Sequence, residues 1–162
     1  MTPTRPPAAR ARDWAVIGIE IQIEDDAWTK AVPDTAALAR QAALAAARLG
    51  GEGTITVLFT NDERVRDLNR RFRGQDAPTN VLSFPAPPNP EGQLGDIALA
   101  FGVCAREAAE QAKPLGHHLR HLAIHGVLHL LGYDHQAEDQ AQAMEALERD
   151  LLGALGVADP YA

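Results

Sequence analysis

Hydrophobic and polar residues alternate in the first strongly patterned stretch of the chain. Isoleucines occupy the odd positions from 17 to 23, and Gly18, Glu20, Gln22 and Glu24 occupy the even positions. A period of two with β-branched residues predicts a β-strand that has one polar face. Three further short apolar runs also predict strands, and they cover residues 54–60, 81–84 and 96–100.

Helices are predicted between and after these strands, from capping residues at their starts and from the glycines or prolines that end them. The predicted helices cover residues 34–49, 61–72, 103–113, 116–131 and 137–152. The order β-α-β-α-β-β-α-α-α predicts an α+β fold, a small mixed four-stranded sheet packed by about five helices. We expect a single domain over residues 15–162, preceded by a disordered tail of residues 1–14, which is rich in Pro, Ala and Arg.

Composition is that of an ordinary globular protein. The chain has 162 residues, of which 46% are hydrophobic and 23% charged. No stretch is long and apolar enough to cross a membrane, and no signal peptide is evident, so we expect a cytoplasmic protein. Cys104 is the only cysteine, which excludes an internal disulfide and a cysteine-based metal site. We expect its thiol to be a small buried hydrophobic group.

Charge is distributed unevenly along the chain. The formal net charge of −7 argues against general affinity for nucleic acid. Residues 64–73, however, contain five arginines and one acid, Asp67, which gives this segment a local charge of +4. The segment has two interpretations. It is either a solvated helix face paired with nearby acids, or a patch that binds a phosphate backbone through Arg64, Arg66, Arg70 and Arg71.

The histidines are concentrated in one segment. All six lie between residues 117 and 135. His125 and His129 are four residues apart, so a helix places both on one face, where they can bind the same metal ion. Gly132 can end the helix and turn the chain, which allows His135 to supply a third ligand. Three histidines leave a fourth position open, as in catalytic rather than structural zinc sites.

The other histidines fit this ion less well. His121 precedes His129 by eight residues, a rise of ~12 Å along a helix, whereas ligand nitrogens on one zinc lie about 3–3.5 Å apart. We therefore place His121 behind the ligands or on the wall of the site. His117 and His118 are predicted to lie at the surface near the start of the helix.

Zinc proteases with the pattern HExxHxxGxxH have the same three histidines and the same glycine. In this chain, Gly126 stands where those enzymes have a glutamate that acts as general base. Peptide hydrolysis by that mechanism is therefore unsupported. A divalent metal can still activate water or polarise a phosphate for the cleavage of a phosphodiester.

Four segments together resemble the YbeY family, the bacterial metal-dependent endoribonucleases of ribosomal RNA maturation. HGVLHLLGYDH (residues 125–135) is similar to the family's H-x3-H-x5-H signature. The other three segments occur in the family's order, and they are LNRRFRGQDAPTNVLSFP (68–85), LGDI (94–97) and MEALERDLLGALG (144–156).

The resemblance implies one divalent metal ion per chain, Zn²⁺, bound by His125, His129 and His135. It implies that Arg73 matches the family's functionally important arginine, so Arg73 and His125 are the predicted catalytic residues. It also implies cleavage of single-stranded RNA, with roles in maturation of the 3′ end of small-subunit (16S) rRNA and in ribosome quality control. The small ribosomal subunit is then an expected partner.

A planar guanidinium can hold two phosphate oxygens, which would suit Arg73 as a phosphate clamp. Its alternative role is that of a surface arginine at a helix C-terminus, where positive charge is favourable. Other polar residues could contact substrate or orient a ligand, or could serve only their own turns and strands. These are Thr79, Asn80, Ser83, Asp96 and Asp134.

Two alternatives to the endoribonuclease stay open. One is a zinc peptidase or amidase that uses another carboxylate as base. The other is a non-catalytic ribosome-assembly factor with a structural metal, although such sites normally have four protein ligands.

Overall fold

The four predicted strands form one mixed sheet. A computed structural model describes residues 17–50 and 52–162, and the predicted tail of residues 1–14 lies outside them. The strands are β1 (Ile17–Ile23), β2 (Gly53–Thr60), β3 (Val81–Pro85) and β4 (Gln93–Ala100), in the spatial order β1-β2-β4-β3. β1, β2 and β4 are mutually parallel, whereas β3 pairs antiparallel with β4 and forms one edge of the sheet.

Six α-helices pack around this sheet in the described part of the chain. They are α1 (Ala27–Ala31), α2 (Thr35–Ala47), α3 (Asp62–Arg73), α4 (Phe101–Glu110), α5 (Leu115–Leu130) and α6 (Glu138–Ala154). The predicted α+β fold is therefore confirmed, with one helix beyond the five predicted. None of the described helices has both the length and the apolar character needed to span a membrane.

The helix that the sequence did not predict is α1, a single turn of five residues. Its sequence has too few residues to show a helical period. Trp28 fixes the turn instead, because its side chain is fully buried and its Nε1 donates to the carbonyl oxygen of Thr60 at 2.9 Å. Trp28 also packs edge-on against Phe59, with the ring centroids 4.9 Å apart. This element depends on a tertiary contact rather than on local sequence.

The main core lies between one face of the sheet and helices α2 and α5. β2 contributes Ile55, Val57 and Phe59 to it, and the large side chains of α5 cover them. α2 contributes mainly alanines, and their small side chains let it lie close to α5. The fully or almost fully buried ones are Ala39, Ala42, Ala43, Ala46 and Ala47.

A smaller core lies on the opposite face of the sheet, under α3. Val65 of α3 is fully buried there against Leu82, Ala98 and Ala100. Because residues on a strand alternate between faces, Ser83 and Ile97 point the other way, toward α5. The edge strand β3 thus lies between α3 on one face and α5 on the other.

Cys104 is fully buried in α4, as expected from the sequence. Its Sγ lies 3.5 Å from the carbonyl oxygen of Asn80. Burial is the main cause that raises the pKa of this thiol well above its ordinary value, and the charge of Glu107 adds to it. The thiol is therefore protonated and poorly nucleophilic in the folded chain.

Candidate metal centre

Two histidines of α5 point the same ring atom toward each other. The Nε2 atoms of His125 and His129 are 3.2 Å apart, and their ring centroids are 4.6 Å apart. The spacing of four residues produces this arrangement, because it places both side chains on one face of the helix. The nitrogen separation matches that of two ligands on one zinc ion, about 3–3.5 Å for Zn–N bonds near 2 Å.

His135 reaches the pair from the loop after α5. Gly132 has a φ of 100°, a conformation that other residues rarely adopt, and it turns the chain just after the helix ends. The ring centroid of His135 lies 5.5 Å from that of His125 and 5.0 Å from that of His129. One ligand atom from each histidine lies within 4.8 Å of the other two. The predicted convergence of the three histidines at a helix end and turn is therefore confirmed.

A buried carboxylate behind the cluster determines which nitrogen His125 presents. Glu148 of α6 is fully buried, and its Oε2 lies 2.8 Å from Nδ1 of His125. His125 then donates its Nδ1 proton to Glu148 and leaves its Nε2 lone pair directed at the other histidines. This carboxylate–histidine arrangement is common behind metal ligands, where it fixes the tautomer and the ring orientation.

Glu148 also accepts hydrogen bonds from two other side chains. Nε2 of His121 lies 2.7 Å from its Oε1, and the hydroxyl of Tyr161 donates to the same oxygen. Burial opposes ionisation of Glu148, but these hydrogen bonds and the one from His125 outweigh it and lower its pKa to about 2. The carboxylate is therefore negatively charged at neutral pH, next to a cluster suited to a cation.

The three histidines fit a divalent metal by their donor set. Neutral imidazoles bind metals, and burial is the main cause that lowers the pKa of His129 below its ordinary value, with the charges of His125 and His135 adding to it. The cluster offers three nitrogen ligands, and among residues 17–50 and 52–162 no fourth metal-ligating side chain joins it. An open position of this kind is characteristic of catalytic zinc.

Gly126 shows why no glutamate can follow His125 here. A Cβ atom at this position would lie 2.9 Å from Cγ2 of Ile97 and 3.2 Å from Oγ of Ser83. The residue faces the sheet rather than the cleft, and its carbonyl oxygen accepts a hydrogen bond of 3.1 Å from Oγ of Ser83. A side chain at this position would press against the sheet and would not enter the cleft, so packing disfavours the general base of the zinc proteases here.

Arg73 lines the same cleft as the histidines. The cleft has a volume of about 580 Å³, and its lining includes Arg73, Ser83, His125, His129 and His135. Arg73 is the last residue of α3, so it comes from the opposite face of the sheet and reaches around the edge strand β3. One guanidinium nitrogen donates to the carbonyl oxygen of Ser83, and the guanidinium carbon lies 5.5 Å from the ring centroid of Phe84.

Three of the other predicted polar residues line this cleft but use their side chains within the protein. Asn80 donates to Glu107 at 3.0 Å, and Ser83 donates to Gly126. Asp134 accepts from the backbone N–H of His135 at 2.7 Å, as a turn residue does. Thr79 also lines the cleft. Their contact with substrate stays a prediction.

Asp96 is separated from the histidines. It is exposed on β4 and lines a neighbouring groove of about 860 Å³, which shares Arg73 and Ser83 with the cleft.

Each of the four arginines of the predicted RNA-binding patch lies within 4.0 Å of a carboxylate. The pairs are Arg64–Glu24, Arg66–Asp76, Arg70–Asp67 and Arg71–Asp67. The arginines of all four pairs are exposed, and Asp67 is half-exposed, so water and salt screen these pairs.

The sequence prediction for His118 was wrong. It was expected at the surface, but only 3% of the residue is exposed. Its Nε2 lies 2.9 Å from Oε1 of Glu107 on α4, and its Nδ1 has no hydrogen-bond partner among the described residues. His118 therefore belongs to the contact between α4 and α5, which local sequence does not reveal.

Sequence reasoning also missed Glu148 and Tyr161. For Glu148 a signal was present, since Met144 and Leu152 lie four residues to either side of it and both are buried. An acid within the apolar stripe of a helix indicates a buried partner. Tyr161 gave no such signal, because it lies beyond the last helix.

A mixed sheet with helices on both faces thus carries an open three-histidine cluster that could hold a metal ion, an arrangement that metal-dependent hydrolases use. Comparison with known proteins specifies the family. The family model described as Endoribonuclease YbeY matches residues 19–156. The chain belongs to the YbeY family.

Several relatives support this assignment. A protein named Endoribonuclease YbeY from Rhodopseudomonas palustris strain HaA2 is 45% identical, over 91% of this chain and 83% of its own length. Another of that name, from Azorhizobium caulinodans, is 48% identical, over 89% of this chain and 96% of its own. The solution structure of TM1509 from Thermotoga maritima matches with a TM-score of 0.54 at 25% identity, over 85% of this chain and 91% of that one.

Proposed function

We propose that this chain is a zinc-dependent endoribonuclease that cleaves single-stranded RNA. The observation that carries the proposal is the single cleft lined by Arg73 and the three histidines. The relatives' printed name, Endoribonuclease YbeY, supports RNA as the substrate class.

His125, His129 and His135 would hold the ion. When bound, a divalent metal supplies positive charge that polarises a phosphate or lowers the pKa of a water molecule. Glu148 keeps His125 in the tautomer that presents Nε2, and Gly132 directs the loop that carries His135. Because β3 separates α3 from α5, Arg73 faces the ligands across the cleft rather than along one helix.

Arg73 has the role of phosphate clamp in this proposal. Its bond to the carbonyl of Ser83 and its contact with Phe84 fix the guanidinium while leaving further N–H groups for phosphate oxygens. Phosphodiester cleavage builds negative charge on the non-bridging oxygens, and a fixed cation at that place lowers the energy of the transition state. We assign catalysis to Arg73 and to the metal ligand His125.

We propose that the substrate in the cell is the precursor of small-subunit 16S rRNA, near its 3′ end. The chain would act in the cytoplasm on the small ribosomal subunit. It would also take part in ribosome quality control. The support is family membership and the resemblance of residues 68–85 and 125–135 to the family's motifs. The zinc peptidase alternative needs another carboxylate as base. The only carboxylate among the described residues that line the cleft is Asp134, and it accepts from the backbone N–H of His135. The three-ligand cluster likewise disfavours a closed structural metal.

The test is cleavage of a defined single-stranded RNA by the zinc-loaded chain, with a peptide substrate assayed beside it. Arg73→Ala should keep the zinc and the melting temperature, because no ligand or core group is lost, and should lower the cleavage rate by about 10²–10³-fold. Arg73→Lys should recover part of the rate, since a point charge cannot replace the planar fork. Analysis of the product ends would distinguish attack by water from attack by the RNA 2′-OH.

Arg40→Ala is a matched control, because Arg40 is an exposed arginine of α2, away from the cleft. It should cleave like the parent. If Arg73→Ala also cleaves like the parent, the clamp role is wrong. If the parent cleaves the peptide and not the RNA, the proposed function itself is wrong.

A further inference from the structure

The C-terminal segment of the chain folds back onto α6, beside the residues that support the histidine cluster. Arg149 holds it there, since its Nε lies 3.0 Å from Oδ2 of Asp159 and its guanidinium carbon lies 5.2 Å from the ring centroid of Tyr161. Asp159 in turn accepts from the backbone N–H of Tyr161 at 2.8 Å. These contacts place the Tyr161 hydroxyl against Glu148.

We propose that Tyr161 is a positioning residue for the metal site, which acts through Glu148 and His125 and raises the affinity of the three histidines for zinc. The proposal rests on the metal site of the proposed function. The C-terminal segment then has a role in metal binding, although Tyr161 itself offers no ligand to the ion.

The buried carboxylate of Glu148 depends on its hydrogen-bond donors. A fully buried charge needs several hydrogen bonds, because burial removes the water that would otherwise solvate it. Glu148 has three donors, one from each of His121, His125 and Tyr161. Two of them serve Oε1, and the bond to His125 occupies Oε2. The carboxylate can turn about its last side-chain bond, so donors on Oε1 also determine the direction of Oε2.

Removing the tyrosine hydroxyl would therefore loosen the orientation of His125. Oε1 would retain His121 alone, and the vacated site would admit water from the surface, since Tyr161 is 39% exposed. A carboxylate with fewer fixed donors holds Nδ1 of His125 less firmly, and Nε2 then spends less time in the direction of the other ligands. Partners of this kind typically change metal affinity by about 10–100-fold.

The experiment measures the zinc affinity of the folded, metal-free full-length chain by competition with a chromophoric chelator. Glu148→Gln should weaken zinc binding by about 10–100-fold. Tyr161→Phe removes one oxygen atom and should weaken it by about 3–10-fold, because one hydrogen bond to a charged group is lost. Asp150→Asn removes an exposed carboxylate from the same helix and should leave zinc binding unchanged.

The double variant separates a positioning role from a general structural one. If Tyr161 acts through Glu148, Tyr161→Phe should weaken binding no further when Glu148→Gln is already present. Melting of the metal-free variants is measured in parallel. A merely structural tyrosine would lower the melting temperature and leave the zinc affinity of the folded chain unchanged.

Two results would overturn the inference. One is parental zinc affinity in Tyr161→Phe, which can be judged even if Glu148→Gln fails to fold. The other is a loss of zinc affinity in the double variant that equals the product of the losses in the two single variants. A parent chain that binds no zinc would instead overturn the metal site of the proposed function, and this inference with it.

Discussion

Two regions that differ in construction line the cleft. The histidine side, on α5 and the loop after it, is supported by a fully buried carboxylate with three hydrogen-bond donors. On the arginine side, Arg73 lines the cleft and contacts Ser83 and Phe84. The other arginines of α3 lie outside the cleft, in pairs with exposed or half-exposed acids. Buried polar groups hold one geometry because every alternative leaves a charge unsatisfied, whereas exposed ion pairs exchange freely with water. The first region therefore holds its groups in fixed positions, whereas the arginines of α3 other than Arg73 mainly provide charge.

The largest expected effect is on the histidine side. His129→Ala should abolish stoichiometric zinc binding, because two remaining nitrogens do not make a stable site. It should leave the fold intact, since His129 is only half-buried. Zinc content after gel filtration and far-UV circular dichroism would check both points. Retention of one zinc per chain would show that the ion binds elsewhere.

The next largest effect is expected from a substitution in the packing behind the histidines. Gly126→Ala should lower the free energy of unfolding by about 1–3 kcal/mol, because its Cβ would crowd Ile97. The higher helix propensity of alanine offsets about 1 kcal/mol at most. Urea unfolding would measure this. Gly153→Ala is a matched control in α6, where an added Cβ meets nothing within 4 Å, and it should be neutral or stabilising.

We expect His118 to make a pH-dependent contribution to the free energy of unfolding. Burial is the main cause that lowers its pKa below 6.5, and the charges of Lys113 and His121 lower it further. The hydrogen bond and the charge of Glu107 oppose this shift without cancelling it. The unfolded chain therefore takes up this proton first as the pH falls, and stability is lost from about pH 6.5 downward through the lower folded-state pKa.

His118→Gln can keep a donor for Glu107 and cannot titrate. Its free energy of unfolding should therefore fall less than the parent's between pH 7 and pH 5.5. Urea unfolding with a chelator present would compare the two slopes. Identical slopes would show that His118 does not contribute.

The smallest effect is expected from the exposed arginines of α3 that lie outside the cleft. Arg70→Ala removes an exposed pair with Asp67 and should change the free energy of unfolding by less than about 0.5 kcal/mol. If the segment binds RNA, the variant should also bind a single-stranded RNA more weakly, with a smaller dependence on salt concentration. An unchanged salt dependence would favour the interpretation of α3 as a solvated face.

The sequence predicted those parts of the site that depend on local geometry. Spacing of four residues placed His125 and His129 together, and a glycine at residue 132 correctly indicated the turn to His135. Glu148 was missed because its contact with His125 joins residues 23 apart on two helices whose packing no periodicity encodes. The burial of His118 depends on α4 in the same way. The sheet and most helix bounds followed from pattern, but α1 depends on the burial of Trp28, which local sequence does not reveal.

Because the thiol of Cys104 is buried, its reaction with thiol reagents reports local opening of the folded chain. It is the only thiol in 162 residues, and in the folded state it is enclosed and protonated. Thiol reagents can then react only when α4 moves away from the sheet or the molecule unfolds. Because Cys104 touches the backbone of Asn80, which lines the cleft, a labelling rate in native buffer above the rate of global unfolding measures opening on this side of the cleft. No fluorophore or new cysteine has to be introduced.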